Sequence, residues 1–201
     1  MVQFAEKRRA AMDAVMRDEV YRGAVEILTE QGPPALTMDR LARTVGVSRA
    51  TLYNYFSDRD AVLTFVDEQT LEPFLEQAET IFTGPGTAEE KLAAHVLTVF
   101  QMVEASKPLL YALYIKESVA GERREAKNRR HNRMIASLVR VFEQGIKDQE
   151  FRKLPLPDTA ILFSSALRGH VEYMADNDIT RPPEELASML MDVLMPAFRA
   201  T

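Results

Sequence analysis

Apolar residues recur along this chain at intervals of three and four, and the alternation that marks a half-buried strand never persists. The pattern predicts helices throughout. A first helix covers roughly residues 17–30, with Val20, Ala24, Ile27 and Leu28 inward, and stops at Gly32-Pro33-Pro34. Residues 3–16 contain no Gly or Pro and either extend that helix or form an arm. After two short helices, Asp58 opens a longer one carrying Ala61, Val62, Phe65, Val66 and Leu71, with Pro73 expected to bend or interrupt it. Thr83-Gly84-Pro85-Gly86 is the clearest later break, and Thr87-Ala88-Glu89-Glu90 is a capping box for the helix that follows. Pro108 starts another helix, and Gly121 precedes a long one over about 122–148, ended by Pro155 and Pro157.

The last two helices have a different pattern. Residues 158–174 are apolar nearly all round, so one face is exposed unless something covers it. Residues 182–198 carry a broad apolar band. Together they suggest a subunit interface, for which Leu167, Met174, Leu186, Leu190, Val193, Leu194 and Phe198 are the candidate residues. Ordinary core helices are the alternative, because periodicity does not distinguish a partner subunit from the chain's own core.

The two short helices carry the chemistry. Thr37 can cap the first, Leu41 and Val45 face inward, and Ala42 leaves little bulk where the second helix crosses. Gly46 supplies the turn, where a left-handed backbone costs least. Ser48 caps the second helix, and Leu52 and Phe56 face inward four residues apart. Arg49, Ala50, Thr51, Tyr53, Asn54 and Tyr55 are left on or near its outer surface. This is the spacing of a helix-turn-helix, whose second helix lies in the major groove of DNA. Arg49 is placed to reach a guanine edge with two parallel bonds, or else a phosphate. Thr51 suits a thymine methyl or a phosphate, Ser48 is both cap and phosphate donor, and Tyr53 and Tyr55 are candidate phosphate-contacting phenols. Asn54 is left facing either in or out. Thr37 and Arg59 flank the reading helix and are candidates to clamp the DNA backbone.

Charge sharpens this picture. The net charge of −5 is awkward for a DNA binder, but residues 1–60 hold nine basic and nine acidic residues, so the acidity lies elsewhere. Within 37–56, three Arg stand against Asp39 alone, a local +2 that suits phosphates. The run 122–133 is the most basic in the chain. A solvated helix face with a Glu125/Arg129 pair is its simplest reading, nucleic-acid binding the alternative.

The N-terminal region resembles the TetR family of bacterial transcriptional regulators over about residues 17–65. The matching features are the helix ending at Gly32, Thr37, Ala42 and Gly46, Val47-Ser48, Thr51-Leu52-Tyr53, Tyr55-Phe56, and Asp58-Arg59 before Asp60. The resemblance implies a homodimeric, ligand-responsive repressor with a small-molecule cavity in its C-terminal domain and a four-helix interface built from the last two helices. Two departures stand out. Ala50 replaces a common Gly, which favours the helix and limits how closely the backbone nears DNA. Arg59 replaces a usual Lys, keeping the charge with a different phosphate geometry.

The expected fold is therefore all-α, with a helix-turn-helix domain over 1–65 and a helical ligand-binding and dimerisation domain over 66–201. Phe65, His95, Tyr111, Tyr114, Arg168 and His170 are candidates to line the cavity, although polar groups satisfied in the core, such as an Arg168/Glu172 pair, fit the pattern as well. The helix after Asp58 is the expected lever between ligand and DNA. The chain has no cysteine, no Gly-rich phosphate loop, no serine elbow and no paired histidine ligands, so an enzyme, a metal site and a bound cofactor are not expected. The start is not a signal peptide and no stretch is apolar enough to span a bilayer, which makes a cytoplasmic protein the default. The function that follows is regulation of transcription at a quasi-palindromic DNA operator, bound as a homodimer and released by a small-molecule effector. The alternative is a helical small-molecule-binding or interaction protein that no longer binds DNA.

Overall fold

A computed structural model describes residues 2–114 and 121–200. The fold is all-α: among the described residues there are eight α-helices and no strand. The helices are α1 (Val2–Gln31), α2 (Met38–Val45), α3 (Arg49–Tyr53), α4 (Arg59–Thr83), α5 (Ala88–Tyr114), α6 (Gly121–Lys147), α7 (Asp158–Asp176) and α8 (Pro183–Phe198). α1 therefore takes in the residues before Arg17, and α4 continues through Pro73 without a break.

The chain divides into two compact units. The first holds the residues up to Thr70 together with the segment that begins at Pro108, so its boundary within α4 follows Thr70, five residues beyond the expected residue 65. Periodicity gave no sign of the returning segment. α5 kinks at Ser106 (φ −126°, ψ 17°), just before Pro108, and beyond the kink Leu109 and Leu113 are buried in the same core as α1–α4. The centre of that core is Val20, Ala24 and Ile27 of α1 with Leu41, Leu52 and Val62, all at most 1% exposed. Gly23 lets α2 come close to α1: a methyl group there would lie 3.0 Å from Val45 Cγ2.

The second unit holds the remainder of α4, α5 up to the kink, most of α6, and α7 and α8. Its core is aromatic. Phe142 of α6 lies 5.7 Å from Phe151, 5.8 Å from Phe163 and 5.3 Å from Phe198, ring centre to ring centre. α5 starts with the capping box read from the sequence: Glu90 N–H donates to Thr87 Oγ1 (3.1 Å) and Thr87 N–H to Glu90 Oε2 (2.9 Å). Glu150 adds a second clamp, its carboxylate accepting from the Ala88 and Glu89 N–H groups at 3.1 and 3.2 Å. Two free donors of the α5 N-terminus are thereby satisfied from a residue that follows α6.

Candidate DNA-reading surface and apolar cavity

α2, a tight turn and α3 form the helix-turn-helix. Thr37 Oγ1 accepts from Arg40 N–H at 3.2 Å, which opens α2, and Ser48 Oγ accepts from Thr51 N–H at 3.0 Å, which opens α3. Between them Gly46 sits at φ 76°, ψ 28°, and its N–H donates back to Arg43 O (3.2 Å) while Val47 N–H donates to Ala42 O (2.9 Å). That is a helix stop with a left-handed residue, which glycine adopts without strain. Leu52 and Phe56 are buried, so the opposite side of α3 is presented outward: Arg49, Ala50, Tyr53 and Asn54 are exposed and Thr51 is half-buried.

The structure treats the remaining candidate residues differently. The Arg49 guanidinium is engaged by Asp39 and Tyr53. Nη1 lies 2.9 Å from Asp39 Oδ1, Nη2 donates to the Tyr53 hydroxyl at 3.3 Å, and the group stacks 5.4 Å from the Tyr53 ring centre. The hydrogen bond it donates to Tyr53 and the charge of Asp39 raise its pKa further above an already high value. Tyr55 is half-buried and its hydroxyl donates to Asp13 of α1 at 2.9 Å. That bond ties the early part of α1 to the reading unit and turns the phenol away from the part of a free phosphate donor. Arg59 is likewise a staple, with Nε donating to Leu36 O and Nη2 to Pro33 O, both at 2.9 Å, so its guanidinium pins the turn after α1. These two roles depend on partners 23 to 42 residues away in sequence, which no local pattern reveals.

A cavity of about 190 Å³ opens within the second unit. Leu71, Phe74, Leu75, Val99, Met102 and Met134 form its apolar walls. The polar lining is His95, Thr98, Arg130 and His131, with no carboxylate among the lining residues. His95 is 5% exposed, its ring packs 5.0 Å from that of Phe82, and Nδ1 has no hydrogen-bond partner among the described residues. Burial lowers its pKa to about 4, so the imidazole is neutral at physiological pH.

Of the cavity candidates read from the sequence whose side chains are described, His95 alone is among the lining residues. Phe65 belongs to the core of the first unit, 5.2 Å from Phe56. Arg168 is exposed and pairs with Glu172 at 3.1 Å, and His170 stands edge-on to Phe100 at 6.0 Å. The side chains of Tyr111 and Tyr114 lie outside the described residues. The basic run contributes instead: Arg130 and His131 reach the cavity, while Arg129 lies 3.9 Å from Glu125 as the charge pattern suggests. Among the described residues no group of His, Asp or Glu is placed to hold a metal ion, and no helix is long and apolar enough to cross a membrane.

The structure distributes the interface candidates unevenly between core and surface. Leu167, Met174, Leu186, Leu190 and Phe198 are at most 8% exposed and belong to the core of the second unit, and Leu194 is half-buried against it. Val193 alone of the seven is exposed, at 69%. The outward apolar residues of α7 and α8 are Ile161, Leu162, Tyr173 and Val193. An apolar band wider than one helix face has an inner and an outer half, and the sequence pattern marks both alike.

Comparison with known proteins fits this geometry. Residues 20–64 match the family model described as bacterial regulatory proteins, tetR family. The chain is 27% identical over 85 residues to a fatty acid metabolism regulator protein of Bacillus subtilis, covering 42% of this chain and 44% of the relative. It is also 27% identical over 93 residues to the HTH-type transcriptional regulator BetI of Rhizobium meliloti, 46% of each chain. The match thus spans just under half the length of these curated relatives. Among solved structures, the transcriptional regulator FadR from Bacillus subtilis in complex with stearoyl-CoA superposes with a TM-score of 0.78 at 21% identity, covering 88% of this chain and 96% of that one. The ketosteroid transcriptional regulator KstR2 of Mycobacterium tuberculosis does so with a TM-score of 0.68 at 16% identity, over 92% and 95%. At these identities the superpositions establish a shared fold, and the family model falls on the helices that build the reading surface. The N-terminal domain is thus similar to the DNA-binding domain of the tetR family of bacterial regulatory proteins over residues 20–64.

Proposed function

We propose that this protein is a ligand-responsive DNA-binding transcriptional regulator, a repressor that leaves a quasi-palindromic operator when a small molecule occupies the cavity of its second unit. The observation that carries the reading is the outer face of α3, where a capped, rigidly turned helix presents Arg49, Ala50, Tyr53 and Asn54 to solvent above a buried Leu52. Such a helix meets base edges while its flanks meet phosphates. The protein acts as a cytoplasmic homodimer and catalyses no reaction. A second copy covering Ile161, Leu162, Tyr173 and Val193 would remove from water an apolar surface that the chain leaves exposed.

The effector is an apolar molecule bearing a hydrogen-bonding group. The cavity walls select its body, and the His95 Nδ1 inside and the Arg130 guanidinium and His131 imidazole at the lining select its polar part. The likeness to a FadR solved with stearoyl-CoA supports an effector with an apolar body. Its effect is bounded by the difference in its affinity for the operator-bound and free states, and the coupling is reciprocal. Gel-shift titration of the protein on the DNA upstream of its own coding sequence tests the reading. A discrete complex that weakens steeply with salt and is dissolved by the effector is expected. Binding of a cavity ligand with no discrete DNA complex at any salt would instead favour a ligand-binding protein that has lost DNA.

A further inference from the structure

Arg49 is the first residue of a five-residue helix, so its backbone alone does little to direct a long side chain. A free guanidinium on such a stem gives up much of its rotamer freedom when it is fixed on a base. The side chain is already held. Asp39, ten residues earlier in the first turn of α2, places Oδ1 at 2.9 Å and Oδ2 at 3.3 Å from Nη1. Tyr53, one turn further along α3, accepts from Nη2 at 3.3 Å and lies beneath the guanidinium plane. This leaves the Nε–H and one Nη2–H uncommitted, and two donors are what a guanine O6/N7 edge requires.

Asp39 is also the only acid between Thr37 and Phe56. On a surface meant for phosphates it works against binding, since each carboxylate there repels the DNA backbone. Thr37 already caps α2, so the carboxylate is not required for that. Both contacts with Arg49 are exposed, and an exposed pair of this kind adds little to folding stability. Its consequence lies in where it puts the guanidinium.

We infer that Asp39 is a positioning residue for sequence discrimination: it fixes Arg49 against Tyr53 in the orientation that reads a base, at the expense of non-specific affinity. This rests on the DNA-reading function proposed above. The test uses the full-length protein. A motif is first selected by the wild type from a library of randomised duplexes, and affinities for that motif, for the motif with the Arg49-dependent base pair changed, and for random duplex are then measured at fixed salt. Asp39→Ala and Asp39→Asn are expected to lose about 3- to 10-fold of discrimination at that base pair while binding random duplex as well as or better than the wild type. In an Arg49→Ala background, Asp39→Ala should change discrimination no further, because the two act as one unit. Wild-type discrimination retained in both Asp39 variants would overturn the inference and leave the DNA reading standing. An equal loss from Asp39→Ala with and without Arg49 would overturn it too. A wild type that selects no motif overturns both.

Discussion

Gly145 offers a test of the second unit in which two physical effects have opposite signs. It lies near the end of α6, where replacing Gly by Ala in an open helix stabilises by about 1 kcal/mol. Here the added methyl would stand 2.3 Å from Phe151 Cδ2, 2.6 Å from Cε2 and 2.9 Å from Ala88 Cβ. Carbon atoms in contact prefer about 3.5–4.0 Å, so ring or helix has to move by more than an ångström. The ring has little room: Phe151 is 3% exposed and wedged between Phe142 at 5.7 Å and Phe198 at 6.5 Å. Its backbone is also held, with Glu150 and Phe151 N–H both donating to Gly145 O at 2.9 and 3.0 Å and Arg152 N–H to Phe198 O at 3.0 Å. Overpacking costs about 1–3 kcal/mol, and three contacts this short point to the upper end. Set against the helix gain, Gly145→Ala should destabilise by about 2 kcal/mol, which lowers the melting temperature of a chain this size by about 4–8 °C. Scanning calorimetry of the intact protein reads this directly and shows whether the two units melt together. In a Phe151→Leu background the same change should cost clearly less, as coupled neighbours are not additive. A Gly145→Ala protein that melts at or above the wild-type temperature would refute the packing argument.

Three further outcomes are expected. Arg49→Ala should lose about 1–3 kcal/mol of discrimination at one base pair in each half-site with phosphate contacts retained, whereas Tyr53→Phe, which removes the acceptor holding Arg49 Nη2, should lose a smaller part of that discrimination and also weaken all sequences; competition binding with operator variants checks both. Leu162→Asp or Val193→Asp should weaken self-association with little change in melting temperature, while Leu190→Asp should unfold the second unit; sedimentation at micromolar concentration beside thermal melts separates them, and a fully dimeric Leu162→Asp/Val193→Asp double variant would remove that face from the interface. His95 is held neutral in the fold with a pKa of about 4 against 6.5 when unfolded, so between those values the unfolded chain binds the extra proton. Its contribution is present above pH 6.5 and is lost as pH falls towards 4, by about 3 kcal/mol at most, and His95→Leu should flatten urea midpoints across that window relative to the wild type.

Much of the reading surface was legible in the sequence because its signals are local. Caps act within three residues, as Thr37 does on Arg40 and Ser48 on Thr51, and the turn needs a left-handed backbone at one position, which Gly46 supplies. Leu52 and Phe56 repeat with the helical period, so the outer face of α3 follows by subtraction. Where the partner is distant, the sequence was mute. Tyr55 and Arg59 were placed by residue type, yet Asp13, Leu36 and Pro33 decide what they touch.

The all-helical class, the helix-turn-helix and the breaks at Gly32, Gly46 and Gly86 were thus determined by the sequence alone, since they follow from backbone preference and apolar period within a few residues. Tertiary structure decided which half of each broad apolar band is core. It buried Leu190 and Phe198, left Leu162 and Val193 in water, returned Leu109 and Leu113 to the first unit, and gathered His95, Arg130 and Leu71 around one cavity. A hydrophobic period fixes a face relative to its own helix axis, but burial depends on what packs against that face, and only the path of the whole chain supplies it.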